Sequence, residues 1–127
     1  MARNSSSLIA TAVFDTKPYD QHALQQASAD HVIEWHFHEF RLTEDTATTA
    51  KNFRAVCVFV NDQLNRPCLE VLARHGVELV ALRCAGFNNV DVAAAKELEL
   101  TVTRVPVYSP HAVAEHTVAL LDRKSVV

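Results

Sequence analysis

The residues able to do chemistry in this chain gather in two short loops and a scatter of histidines. "LRCAGFNNVD", Leu82 to Asp91, breaks off an apolar run at a Cys-Ala-Gly step, and an Asn-Asn pair then leads into a helix. The chain has only two glycines, Gly76 and Gly86, and the second lies here. A glycine in a tight turn lets successive backbone N–H groups converge on an anion, an arrangement suited to a carboxylate. The plainer reading is that Gly86 only permits the turn. In "VFVND", Asp62 follows a second apolar run, where a carboxylate could accept a phosphoryl group. That chemistry needs paired acids after a first strand and a Lys after a fifth. Here Asp15 stands alone before "TKPYD", and "RVPVY" ends without a Lys.

Seven histidines invite a search for metal. His36 and His38 are two apart in a strand-like run and so share one face. Cys68, His75, His111 and His116 match no zinc spacing, and no metal is expected. His116, in "AEHT", suits a polar contact on a helix better than an acid/base role. Three cysteines (Cys57, Cys68 and Cys84) are an odd number without close spacing, which fits free thiols in a reducing cytoplasm.

These residues need a scaffold, and composition bounds it. With 127 residues, 49% apolar and 21% charged, the chain is one globular domain or a piece of one. A net charge of −3 argues against nucleic-acid or anionic-membrane partners. No stretch reaches about 18 consecutive apolar residues, so no spanning helix is expected, and "MARNSSSLIATAVF" does not have the shape of a signal peptide.

Five β-branched runs recur at even spacing: "LIATAVF" (8–14), "HVIEWHF" (31–37), "AVCVFV" (55–60), "VELVALR" (77–83) and "LTVTRV" (100–105). The first and third are nearly continuous in apolar character, as central strands covered on both faces should be. The second alternates and reads as an edge. Between them, "YDQHALQQASA" predicts a helix with Asp20 as N-cap, and "RLTEDTATTA" a weak, threonine-rich one. "NRPCLEVLARHG" has Pro67 near its first turn and Gly76 at its end. "VDVAAAKELE" is capped by Asp91, and "SPHAVAEHTVALL" by Ser109 with Pro110 at the first helical position. Five alternations of strand and helix predict an α/β fold, a doubly wound parallel sheet of flavodoxin-like order. In the last helix Val113, Ala114, Val118, Leu120 and Leu121 form a wide apolar coat, expected to need burial by more than one neighbour.

Three blocks, "AVCVFVND", "LRCAGFNNVDVAAAKEL" and "VTRVPVYSPHAVAEHTVALL", closely resemble the N-terminal region of D-isomer-specific 2-hydroxyacid dehydrogenases, in the D-lactate dehydrogenase branch. The likeness runs from about Leu8 to Leu121. It implies that the chain is the first part of a substrate domain, ahead of an inserted NAD-binding domain. The backbone N–H groups of Ala85 and Gly86 would hold the carboxylate of pyruvate or D-lactate, Tyr108 would border the substrate near a hinge, and Cys84 would line the same loop. The Arg, Glu and His that carry the family's reaction, and its glycine-rich NAD cradle, belong to sequence beyond Leu121. No catalytic residue is therefore expected in these 127 residues, and the chain alone is expected to be inactive. The family's full-length enzyme would be a cytoplasmic homodimer using NAD. The resulting division is a disordered start at 1–7, substrate domain at 8–108, inter-domain helix at 109–121 and a non-native tail at 122–127, "DRKSVV". Glu99 stands where the family has a glycine after a helix. The rival expectation is a non-catalytic flavodoxin-like binding module or a receiver-type signalling domain.

Overall fold

Apolar β-branched runs of four or five residues cannot bury both faces alone, and in this chain they do so by stacking edge to edge between two layers of helix. The computed structural model describes residues 9–28, 33–83, 88–104 and 110–126, with the side chains of 110 and 122–126 outside the description. The strands are β1 (Ile9–Val13), β2 (Ile33–Phe37), β3 (Ala55–Val58), β4 (Leu79–Leu82) and β5 (Thr101–Arg104). All pair in parallel, in the order β2-β1-β3-β4-β5, with Ile9 opposite Ile33, Thr11 opposite Ala55, Ala55 opposite Leu79 and Leu79 opposite Thr101. The expected flavodoxin-like α/β sheet is present, with β2 at an edge.

Strand parity decides which layer each residue joins, because successive side chains point to opposite faces. Ala12, Phe14, Val56, Val58, Val80 and Leu82 pack with Leu69 and Leu72 of helix α2 (Arg66–Arg74) and Ala94 and Ala95 of helix α3 (Val92–Glu97). The opposite parity, Val13, Cys57, Ile9, Ala55 and Leu79, meets Leu24 of helix α1 (Pro18–Ala27) and Val113 and Leu121 of helix α4 (Pro110–Val126).

The helix ends follow their caps. Asn65 accepts from the Cys68 N–H at 3.1 Å, and Asp91 from the Ala94 N–H at 3.0 Å. Gly76, just past α2, takes φ of 100°. At α1 the expected cap is corrected. The helix begins at Pro18, so the cap position is Lys17, and Asp20 sits in the first turn and accepts from the Lys17 N–H at 3.0 Å. Proline is pre-set for the first helical position, which moves the cap three residues upstream of Asp20. The threonine-rich segment forms only a 3-10 helix, Ala47–Ala50, preceded by a turn in which Thr46 Oγ1 accepts from the Thr43 N–H. Such side-chain bonds compete with a longer helix.

The last helix, α4, does have more than one neighbour. Val113, Ala114, Thr117 and Leu121 are buried against the chain's own sheet and α1, and Val118 and Leu120 are half-buried. Among the described residues the exposed large apolar side chains are Tyr19, Phe40, Val60 and Val92, all at the carboxyl edge of the sheet. The proposed start at 1–7, the cap Ser109 and the loop residues Cys84, Ala85, Gly86 and Tyr108 lie outside the described residues.

Glu99 follows α3 at φ of 63°, a left-handed position in which a side chain crowds its own carbonyl. Glu99→Gly should therefore raise stability by about 1 kcal/mol, after offsetting the glycine's greater freedom in the unfolded chain. Urea unfolding would read this as a higher midpoint at unchanged slope.

Candidate functional site

Open α/β sheets bind ligands beyond the carboxyl ends of their strands. The loops at this edge are tied together by a few buried polar groups. After β1, Phe14 N–H donates to the Cys57 carbonyl at 2.9 Å. Asp15 then turns at φ of 56° and donates its N–H to the Phe40 carbonyl at 2.9 Å. The N–H and hydroxyl of Thr16 both donate to the His38 carbonyl, at 3.1 and 3.0 Å.

After β3, Asp62 is fully buried, and its carboxylate is used up by the backbone. Oδ1 accepts from the Leu42 N–H and Oδ2 from the Phe59 N–H, both at 2.7 Å. Burial pushes this carboxyl up to about 6, against the pull of those two donors. A carboxylate so enclosed cannot meet a phosphoryl donor, which removes the feature that suggested a receiver-type domain. Asp62 shapes the loop.

After β4 comes the residue that the sequence reading passed over. Arg83 donates its N–H to the Val58 carbonyl at 2.8 Å, extending the strand pairing, and is 1% exposed. Its Nη2 donates to the Phe14 carbonyl and, at 3.3 Å, to the Asp15 carbonyl. Nη1 lies 3.6 Å from Asp20 Oδ1, and the guanidinium carbon stands 5.1 Å from the centre of the Phe59 ring. One buried side chain thus joins the ends of β1, β3 and β4 and the first turn of α1. A lone Arg closing an apolar run was the available signal.

The far side of the "CAGF" segment is pinned as firmly. Asn89 Nδ2 donates to the Phe59 carbonyl at 3.0 Å and the Asp62 carbonyl at 2.9 Å. Leu64 N–H donates to the Asn89 carbonyl at 2.9 Å, and Leu64 and Val90 form an isolated parallel bridge. The Asn-Asn pair therefore has a structural role through its second member. A cleft of about 110 Å³ lies beside Arg83's partners, lined by Asp15, Lys17, Tyr19, Asp20, Phe59 and Asn61. A wider, open one of about 380 Å³ is lined by Gln63, Leu64, Asn65, Asn88, Asn89, Val90 and Asp91.

The other chemical candidates fall elsewhere. Burial pushes the thiols of Cys57 and Cys68 up to about 12, so neither is a nucleophile. His38 is held between the rings of Phe14 and Phe40, at 5.0 and 4.8 Å, and burial followed by the nearby His36 lowers its pKa. His36 pairs with Glu34 at 2.6 Å on the exposed edge strand, His111 lies 3.4 Å from Glu115, and His116 is exposed on α4. Among the described residues no three His, Cys, Asp or Glu side chains converge on a possible metal position, and no helix is long and apolar enough to cross a membrane.

Known proteins resemble this chain in sequence and fold. Residues 11–122 match the family described as D-isomer specific 2-hydroxyacid dehydrogenase, catalytic domain. A D-lactate dehydrogenase of Escherichia coli is 56% identical over 110 residues, 87% of this chain and 33% of that protein. A 2-hydroxyacid dehydrogenase homolog of Zymomonas mobilis is 50% identical over the same share. The solved apo-structure of the Escherichia coli D-lactate dehydrogenase superposes with a TM-score of 0.76 over 88% of this chain and 35% of that one. A D-isomer specific 2-hydroxyacid dehydrogenase of Lactobacillus delbrueckii in its NAD complexed form, 27% identical, gives 0.71 over 88% and 34%. The chain spans about a third of the length of these relatives. With most of its length matched by the family pattern and its fold superposing on these structures, the chain belongs to the D-isomer-specific 2-hydroxyacid dehydrogenases.

Proposed function

We propose that these residues form the N-terminal part of the substrate domain of an NAD-dependent D-2-hydroxyacid dehydrogenase that interconverts pyruvate and D-lactate. The observation that supports this most directly is the pair of buried anchors Arg83 and Asn89, at the carboxyl edge of the sheet in a chain 56% identical to a D-lactate dehydrogenase. In this reading the N–H groups of Ala85 and Gly86 bind the substrate carboxylate, Tyr108 borders the substrate, and Cys84 lines the loop. A backbone nest charges no side chain, so it binds a small acid without competing for protons.

The residues present do not fit a dinucleotide. A pyrophosphate cradle needs a glycine-rich strand-to-helix turn. The described turn after β1 is Asp15-Thr16-Lys17, with carboxylates at Asp15 and Asp20, and Gly76 is spent on the end of α2. NAD binding and the Arg, Glu and His of the reaction are therefore assigned to other sequence, in a cytoplasmic homodimer. The share of this chain is to bind and orient the acid.

The purified chain mixed with NADH and pyruvate should leave NADH absorbance unchanged. Residues 1–121 joined to the remaining two thirds of the Escherichia coli relative should turn over pyruvate. Gly86→Val in that joined protein should raise KM by about tenfold or more, the cost of blocking one anion contact. Turnover by the isolated chain, or a folded joined protein that oxidises no NADH, would refute the assignment.

A further inference from the structure

We propose that β2 is a self-complementary edge through which two copies of this chain pair antiparallel, strand to strand, into one continuous sheet. The inference concerns Ile33–Phe37 and stands apart from the substrate reading.

An edge strand leaves every second N–H and C=O open to another chain. Which ones are open in β2 follows from its register on β1. His38 N–H donates to the Val13 carbonyl at 2.8 Å, and the His38 carbonyl accepts from the Thr16 N–H at 3.1 Å. Backbone groups alternate in direction along a strand, so Glu34 and His36 face β1 in the same way. The N–H and C=O groups of Ile33, Trp35 and Phe37 therefore point out of the sheet, and no described residue bonds them.

The side chains along this edge match themselves in reverse. Ile33 and Phe37 are apolar, Glu34 and His36 are an acid and an imidazole, and Trp35 is the centre. A two-fold axis through Trp35, perpendicular to the sheet, sets Ile33 opposite Phe37 of the second copy and Glu34 opposite its His36. Such an isologous contact closes at two copies. In this register Ile33, Trp35 and Phe37 occupy the positions where opposed residues exchange both backbone bonds. Glu34 and His36 occupy the alternate positions, where side chains stand closer. Their chemistry already fits: Glu34 Oε2 and His36 Nε2 meet at 2.6 Å within one strand, each about half exposed.

The same pattern excludes the neighbouring registers. Sliding by two residues one way sets His36 against His36, and the other way Glu34 against Glu34, and like groups directly opposite are unfavourable. The strand is also held before a partner arrives. Trp35 and Phe37 pack with Val13, Leu24 and Val113, and Trp35 Nε1 donates to Ser28 Oγ at 2.6 Å. An edge already fixed in shape loses little freedom on pairing.

Sedimentation equilibrium of the 127-residue chain should show monomer and dimer exchanging in the micromolar range, as a small interface allows. His36→Glu sets Glu34 against a second carboxylate, and symmetry counts that contact twice, so the dissociation constant should rise about tenfold. Adding Glu34→His to that variant exchanges the two groups and should restore the dimer. Both side chains lie at the surface, and the amide resonances of β1 and β3 should keep their positions in each variant. Amide exchange of the unaltered chain supplies a second readout. Protection at Ile33, Trp35 and Phe37 should rise with protein concentration, while Glu34 and His36, already bonded to β1, stay unchanged. A chain that remains monomeric would overturn the proposal. So would a dimer indifferent to His36→Glu, one that the exchanged pair fails to restore, or one that leaves the three outward amides unprotected because the copies meet elsewhere.

Discussion

Asp20→Ala is expected to lower the stability of the domain by about 3–5 kcal/mol, the range for removing one partner from a buried ion pair. Asp20 and Arg83 are 8% and 1% exposed, and the guanidinium's other neighbours are two carbonyls, the Phe59 ring face, the Cys57 thiol and, at longer range, the Asp62 carboxyl. Carbonyl dipoles satisfy N–H groups but do not balance a full charge, so the alanine variant leaves a buried cation without its ion-pair partner. The same substitution removes the carboxylate that accepts from the Lys17 N–H at 3.0 Å and with it about 1 kcal/mol of helix capping. Asp20→Asn keeps the volume and that acceptor and loses only the charge, so it should fall between the alanine variant and the unaltered chain. Urea midpoints at neutral pH measure all three. A loss under about 1 kcal/mol for Asp20→Ala would mean that the backbone carbonyls alone hold Arg83.

That pair also marks where a sequence stops being readable. The strands were legible because apolar parity is a local property: Val56 and Val58 on one face and Cys57 on the other follow from period two. Caps within three residues of their target, Asp91 on Ala94 among them, were legible for the same reason. Even the strained Glu99 could be read from its place after a helix. Asp20 was misplaced because two local signals competed, and Pro18 prevailed. Arg83 reaches the Phe14 carbonyl across 69 positions of chain, and Asn89 crosses 30 to reach Phe59. No local pattern encodes such a bond. The family likeness located the segment at Ala85 and Gly86. The buried groups that anchor its two sides came only from the fold.

The second large effect is expected at Asp62, and its size changes with pH. Both carboxylate oxygens accept backbone N–H groups at 2.7 Å, and an Asn can accept at only one of them. The other position would set an amide NH₂ against the N–H of Leu42 or Phe59, so Asp62→Asn should cost about 2–3 kcal/mol at neutral pH. Burial holds Asp62 near 6 in the folded state, against 3.8 for the free side chain. Between those values the folded form binds more protons than the unfolded one, so stability falls as pH rises through this window, by an amount on the order of 3 kcal/mol. His38 acts in the opposite sense. Its folded pKa is lowered from 6.5 by burial between Phe14 and Phe40 and by His36, so acidification below 6.5 favours the unfolded chain. In the unaltered protein the two slopes have opposite signs, Asp62 favouring the folded form on acidification and His38 the unfolded one. Asp62→Asn removes one of them, and urea midpoints for that variant should then fall steadily on acidification. A variant whose pH profile runs parallel to that of the unaltered protein would show that Asp62 is already ionised throughout the range, and that its two backbone donors outweigh its burial.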